Sequence, residues 1–110
     1  MKNRFEGLPM ACSLTSAEFR DREVTLIERF RSAVIETEDL HDGYAFRLPG
    51  DGELIHLVAR LIAAERECCP FLAFEMAALP KMGPVIVRVV GPAGTKEFLR
   101  NLLCKGNAST

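Results

Sequence analysis

Apolar residues that recur at helical spacing predict three helices along the chain. The first runs from about Ser16 to Ser32, and charged residues occupy the side opposite its apolar positions. The second runs from about Gly52 to Cys68, with Asp51 as the expected N-cap. It ends there because Pro70 keeps the preceding residue out of helical dihedral angles. A third, shorter helix is predicted from about Thr95 to Leu103.

Between these helices the apolar residues alternate with polar ones, which is typical of strands. Val34 to Leu40 and Tyr44 to Leu48 are predicted to form a hairpin across the turn His41–Gly43. The glycine of this turn is expected to supply a positive φ. A second hairpin is predicted from Phe71 to Leu79 and from Val85 to Val90. The chain therefore carries two hairpins, each with antiparallel pairing.

The element order, α-ββ-α-ββ-α, predicts the α+β class. The economical architecture is a two-layer sandwich, in which helices cover one face of a four-stranded antiparallel sheet made from the two hairpins. We expect residues 1–110 to be a single domain, with 1–12 and 105–110 loose. Charged strand residues are expected on the uncovered face: Glu36, Glu38, Arg47, Glu75 and Arg88. Apolar Ile86 and Val90 lie on that face too, which suggests a homodimer formed through it.

The composition excludes several classes of protein. With 110 residues, 48% hydrophobic residues and a net charge of −1, the chain is long and apolar enough to form one core. Its charge does not suit a protein that coats nucleic acid or an anionic membrane. No apolar run approaches the roughly 18–20 residues that span a bilayer. Because no apolar segment follows the first charged residues, we expect no signal peptide and a cytoplasmic location.

The four cysteines are the first chemical signal in the sequence, and two of them, Cys68 and Cys69, are adjacent. Neighbouring cysteines can form a disulfide with each other only through a strained ring, and the cytoplasm keeps thiols reduced. We therefore expect free thiols, which are either small core residues or ligands and nucleophiles.

The second helix brings a carboxylate close to these two thiols. Rows at helical spacing that start from Leu54 and Ile55 are apolar until they meet Glu65, one turn before both cysteines. A carboxylate in such a row must reach water, a cation, a hydrogen-bond donor or a metal. In one interpretation it joins a thiol site that binds soft ions. In the other it pairs with Arg66 or another arginine, and the cysteines fill space.

Cys12 and Cys104 compete for the position of a third thiol. Cys12 lies just before the first helix, so folding can bring it beside the pair, whereas Cys104 lies near the C-terminal tail. The spacing of the four cysteines matches neither a zinc ribbon nor a CxxC redox motif.

One longer run of residues resembles a known signature. Glu65–Phe74 (ERECCPFLAF) resembles the ERxCCPFxxF motif of a small, uncharacterised bacterial protein family. Three further segments, Cys12–Thr15, Asp42–Phe46 and Gly91–Leu99, also resemble that family, so the likeness covers nearly the whole chain. Members of the family are often associated with heavy-metal-resistance genes. The resemblance implies a link between Cys12 and the adjacent pair, but it brings no established activity.

Three hypotheses of function follow. The leading one is a cytoplasmic protein that binds a thiophilic metal ion, such as Zn(II), Cu(I) or Hg(II), with Cys12, Cys68, Cys69 and Glu65 at the site. Glu65 would act as a ligand, a proton acceptor or a support for the ligands. The second hypothesis is a thiol redox enzyme whose nucleophile is one cysteine of the pair. The third is a non-catalytic homodimeric interaction module with structural cysteines.

A weaker signal lies near the third helix. Gly91–Lys96 has the order strand, glycine-rich turn, helix, and helix N-termini attract anions. The segment lacks the spacing of a phosphate-binding P-loop, so the sequence favours no cofactor here. His41 and His56 are expected to be solvated surface residues.

Overall fold

The computed structural model describes residues 17–103 of the chain and confirms the predicted α+β class and element order. Half of the predicted boundaries coincide with the observed ones, and the others differ by one or two residues, as is usual at the ends of elements. The predicted loose ends, 1–12 and 105–110, lie outside the described residues. The elements are α1 (Ala17–Ala33), β1 (Glu36–Leu40), β2 (Gly43–Leu48), α2 (Gly52–Cys68), β3 (Ala73–Ala78), β4 (Val85–Val90) and α3 (Thr95–Leu102).

The four strands form one antiparallel sheet in the order β1-β2-β4-β3. The two predicted hairpins are therefore joined through β2 and β4, where Phe46 lies opposite Val87. These two strands are the most buried, whereas β1 is almost entirely exposed. A strand rich in charged residues is stable at a sheet edge because one of its sides remains in water.

Helices cover the face of the sheet that carries Tyr44, Phe46 and Leu48. Phe30 of α1 meets Phe46 edge-on, with ring centroids 5.2 Å apart, and both rings are fully buried. On the same face, the guanidinium of Arg100 in α3 donates to the Tyr44 hydroxyl at 3.4 Å. Helices α1 and α3 therefore both lie over strand β2, and α2 packs against α1.

The opposite face of the sheet carries paired charges, and its five predicted solvent-facing charged residues are all exposed. Arg47 bonds Glu36 across the β1–β2 ladder at 3.3 Å, and Arg88 bonds Glu75 across the β4–β3 ladder at 2.9 Å. Such exposed pairs contribute little stability each, on the order of 0–1 kcal/mol. Opposite charges that face each other across neighbouring strands favour this register. Two apolar residues of the same face, Ala45 and Val90, are buried.

The prediction of a positive φ at Gly43 is wrong. Among the glycines of residues 17–103, Gly94 has a positive φ, at 96°, and Gly43 is the first residue of β2. A Cβ at Gly43 would lie only 1.9 Å from the carbonyl oxygen of Val89 in β4. This position requires glycine because two backbones approach closely, and not because the chain turns there.

The turn between β3 and β4 adopts a backbone conformation that its residue types do not indicate. Lys81 and Met82 have φ values of 61° and 56°, and the N–H of Gly83 donates to the carbonyl oxygen of Pro80 at 3.1 Å. Positive φ at both central residues is the pattern of a type I′ turn, which normally contains Asn-Gly. Side chains with a Cβ pay an energetic penalty in this region.

We expect Lys81→Asn combined with Met82→Gly to raise the free energy of unfolding by about 1 kcal/mol, because Asn and Gly tolerate positive φ. Urea denaturation at fixed protein concentration measures the change. Lys81→Ala is the matched control, since it removes the side chain but keeps the Cβ, and it should give no gain. Equal stabilities for the double variant and the wild type would contradict the expectation.

Candidate functional site

Helix α2 positions the predicted site residues, and local signals define both of its ends. The side chain of Asp51 accepts a hydrogen bond from the backbone N–H of Glu53 at 2.8 Å, which confirms the predicted N-cap. At the other end, Cys69 has φ −127° and ψ 77°, outside the helical region, and Pro70 follows it. The helix therefore ends at Cys68, as predicted.

The buried side of α2 changes from apolar to polar near its C-terminus. It carries Leu57, Val58 and Leu61 and then Glu65, whose side chain is 0% exposed. Cys68 and Cys69, three and four residues further on, are 3% and 1% exposed. Residues three apart are neighbours on a helix surface, so Cys68 lies one turn beyond Glu65 on the same side of α2. Cys69 follows directly at the C-cap, outside the helical region.

Backbone hydrogen bonds fix the end of this helix. The N–H of Cys69 donates to the carbonyl oxygen of Glu65 at 2.6 Å, and the N–H of Leu72 donates to the carbonyl oxygen of Cys69 at 3.2 Å. Between them, the buried ring of Phe71 meets Phe98 of α3 edge-on at 5.3 Å. The cysteine pair therefore lies at the end of α2, where backbone hydrogen bonds and the packing of Phe71 hold the chain in place.

The two cysteines in the described part of the chain, Cys68 and Cys69, are both buried. The two other cysteines, Cys12 and Cys104, lie outside the described residues, so the predicted link between Cys12 and the pair stays a prediction. Within residues 17–103, no group of three or more His, Cys, Asp or Glu side chains is arranged to hold a metal ion.

A separate cavity of about 530 Å³ lies where the β1–β2 turn meets the start of α3. Lys96 lines it, but its amino group bonds Asp39 at 2.5 Å and lies over the ring of Tyr44. Two acidic residues, Asp42 and Glu97, line the same cavity. Because the cation is already paired and the remaining charges are negative, the geometry does not favour an anion here.

Sequence reasoning missed one buried polar residue beside this cavity. Thr95 is buried, and its hydroxyl has no hydrogen-bond partner among the described residues. A Cβ at Gly91 would lie 2.5 Å from that hydroxyl oxygen, so the glycine leaves the space that Thr95 fills. The sequence signal was a glycine four residues before a threonine. His41 and His56 are exposed, as expected.

The fold and the site together define a small α+β protein with two buried thiols and a buried carboxylate at the end of its second helix. Comparison of the chain with protein-family models, with curated proteins and with solved structures gave no match. In the described part of the chain, no helix is long and apolar enough to cross a membrane.

Proposed function

We propose that the protein binds a thiophilic metal ion, with Cys68 and Cys69 as thiolate ligands, Glu65 beside them and Cys12 as the third thiol. The ions that suit such a set are Zn(II), Cu(I) and Hg(II). The proposal concerns binding, in the sense of heavy-metal handling or buffering in the cytoplasm, and it assigns no catalytic step.

The observation that carries the proposal is the burial of Glu65, Cys68 and Cys69 together at the C-terminal end of α2. Thiols that only fill space need no carboxylate beside them, and a carboxylate is buried in a protein only where it has partners. A bound cation compensates for the charge of a carboxylate and of thiolates together, so the three residues become mutually favourable when an ion is present.

The direct test is metal uptake by the full-length protein, purified under reducing conditions and titrated with each ion in turn. We expect one ion per chain and slower alkylation of Cys68 and Cys69 in the folded, ion-loaded protein than in the folded protein without the ion. Mass spectrometry of the alkylated peptides measures the second effect. A protein that takes up none of the three ions would overturn the proposal.

The contribution of the Glu65 carboxylate to metal binding can be tested separately. We expect Glu65→Gln, which keeps the shape but removes the charge, to weaken metal binding by about 10–100-fold without changing the stoichiometry. Competition with a chelator measures the affinity. Glu67→Gln is the matched control, because Glu67 is exposed on the same helix and the change in net charge is the same. Equal losses in both variants would show that only the overall charge matters and that Glu65 has no place at the site.

A further inference from the structure

The described exposed apolar side chains concentrate on one hairpin. Among large apolar residues that are well exposed, Met76, Leu79 and Met82 all lie on β3 or in the turn that follows it, at 39%, 42% and 83% exposed. The two others, Val24 and Ile35, are isolated on α1 and just after it. Scattered apolar residues need no explanation, but a group at a sheet edge indicates a surface that is covered by a partner.

Strand β3 is also an edge with free backbone groups. It pairs with β4 on one side, and in the described sheet it has no strand on the other. The N–H of Leu79 donates to the carbonyl oxygen of Pro84 in the adjoining turn. Because hydrogen-bonded pairs alternate along an antiparallel ladder, the odd-numbered residues of β3 bond β4 and the even-numbered ones direct their N–H and C=O groups outward.

The two edges of the sheet differ in charge. The β1 edge carries Glu36, Glu38 and Asp39 within five residues, so two such edges would repel each other. The only charge in β3 is Glu75, which is paired with Arg88 at 2.9 Å. An edge strand that is nearly neutral and has no neighbour among residues 17–103 can accept another strand, and a second copy of the chain presents the same strand.

We propose that the protein forms a homodimer in which two β3 strands pair antiparallel about Met76, giving one continuous eight-stranded sheet. In this register each Met76 lies opposite the other, and Phe74 lies opposite the second copy's Ala78. All of these residues have outward backbone groups, so each pair exchanges two hydrogen bonds. Glu75 then faces the second copy's Ala77. A register shifted by one residue in each chain would place two Glu75 carboxylates opposite each other, which is unfavourable.

The same register also brings the exposed side chain of Leu79 into contact with the second copy. It would lie opposite the second copy's Ala73, a small residue on the same face of the sheet. Both faces of the new junction therefore gain apolar contacts, from Met76 on the helix-covered face and from Leu79 on the other. The sequence had suggested a dimer through the face that carries Ile86, but the paired charges there favour contact with water, and the β3 edge supports the dimer better.

The first test is the mass of the full-length protein in solution, by sedimentation equilibrium over a range of concentrations. We expect twice the 12.2 kDa of one chain. Met76→Lys places two like charges on the symmetry axis and should raise the dissociation constant of the dimer at least about tenfold. Val24→Lys is the control, since it charges an exposed apolar residue away from β3. A wild-type protein that is monomeric at every concentration would overturn the proposal.

A pair of proline variants tests whether the dimer forms through the β3 edge or through the outer face of the sheet. Ala78→Pro removes an outward N–H and should give a folded monomer, as edge strands tolerate proline there. Ala77→Pro removes an N–H that bonds β4 and should lower the stability of the chain itself. A dimer that survives in Ala78→Pro would place the interface elsewhere. Metal uptake per chain should be unchanged in Met76→Lys. The proposal of the dimer and the proposal of the metal site can therefore each be overturned without affecting the other.

Discussion

Gly43→Ala should lower the free energy of unfolding by about 3 kcal/mol or more, and we expect a large part of the protein to be unfolded as a result. The added Cβ would lie 1.9 Å from the carbonyl oxygen of Val89 and 2.8 Å from the Cα of Val90. Both atoms are backbone atoms of β4, so no side chain can rotate away. The strands β2 and β4 would have to separate at the junction that joins the two hairpins.

Gly52→Ala is the matched control for this substitution. Gly52 begins α2, and a Cβ there meets no atom within 4 Å. Because alanine favours the helix and restricts the unfolded chain, this variant should be stabilised by about 0.5–1 kcal/mol. Thermal and urea denaturation followed by circular dichroism measure both changes. If the two variants are destabilised equally, the close approach of β2 to β4 is not what selects glycine at position 43.

Local signals in the sequence were enough to predict the elements of this fold. Asp51 and Pro70 define the ends of α2 because an N-cap and a proline act on their immediate neighbours. The alternation of Tyr44, Phe46 and Leu48 with other residues marks a strand with one apolar face, and these three are buried. It does not show that Ala45, on the other face, is buried as well. Such signals depend on a few adjacent residues, so a single sequence contains them in full.

The pairing between the hairpins depends on residues far apart in the chain. The partnership of β2 with β4 was not predicted, although the charges of β1 already indicated an edge strand. The requirement for Gly43 arises from Val89, in the other hairpin, and no local pattern reveals it. Likewise, Lys81 and Met82 adopt positive φ because β3 and β4 must join in a tight turn, against their own preference.

The candidate site, too, could be predicted from the sequence only in part. Helical spacing alone placed Glu65 on the row of the two cysteines, because that relation is local to α2. The depth of their burial depends on how Phe71 and the rest of the core pack around the end of the helix, which spacing does not show. The third thiol, Cys12, belongs to a distant segment, and its place at the site stays a prediction.

Cys68→Ala combined with Cys69→Ala should abolish stoichiometric binding of Zn(II), Cu(I) or Hg(II), with a loss of affinity of about 10³-fold or more. Thiolates are the ligands that select soft ions, and Glu65 alone offers only an oxygen ligand. Alanine is preferable to serine at these positions, because both side chains are buried and a buried hydroxyl without a partner costs about 1–3 kcal/mol.

Calorimetric titration of the folded variants measures the loss, and circular dichroism shows whether the double variant keeps its fold. Cys104→Ala is the control that removes one thiol and leaves the pair in place, and it should bind as the wild type does. The single variants should each bind more weakly than the wild type, since binding falls with every thiolate removed. Wild-type affinity in a folded double variant would assign the adjacent cysteines to the core alone, and a bound ion would then have to be held by residues other than this pair.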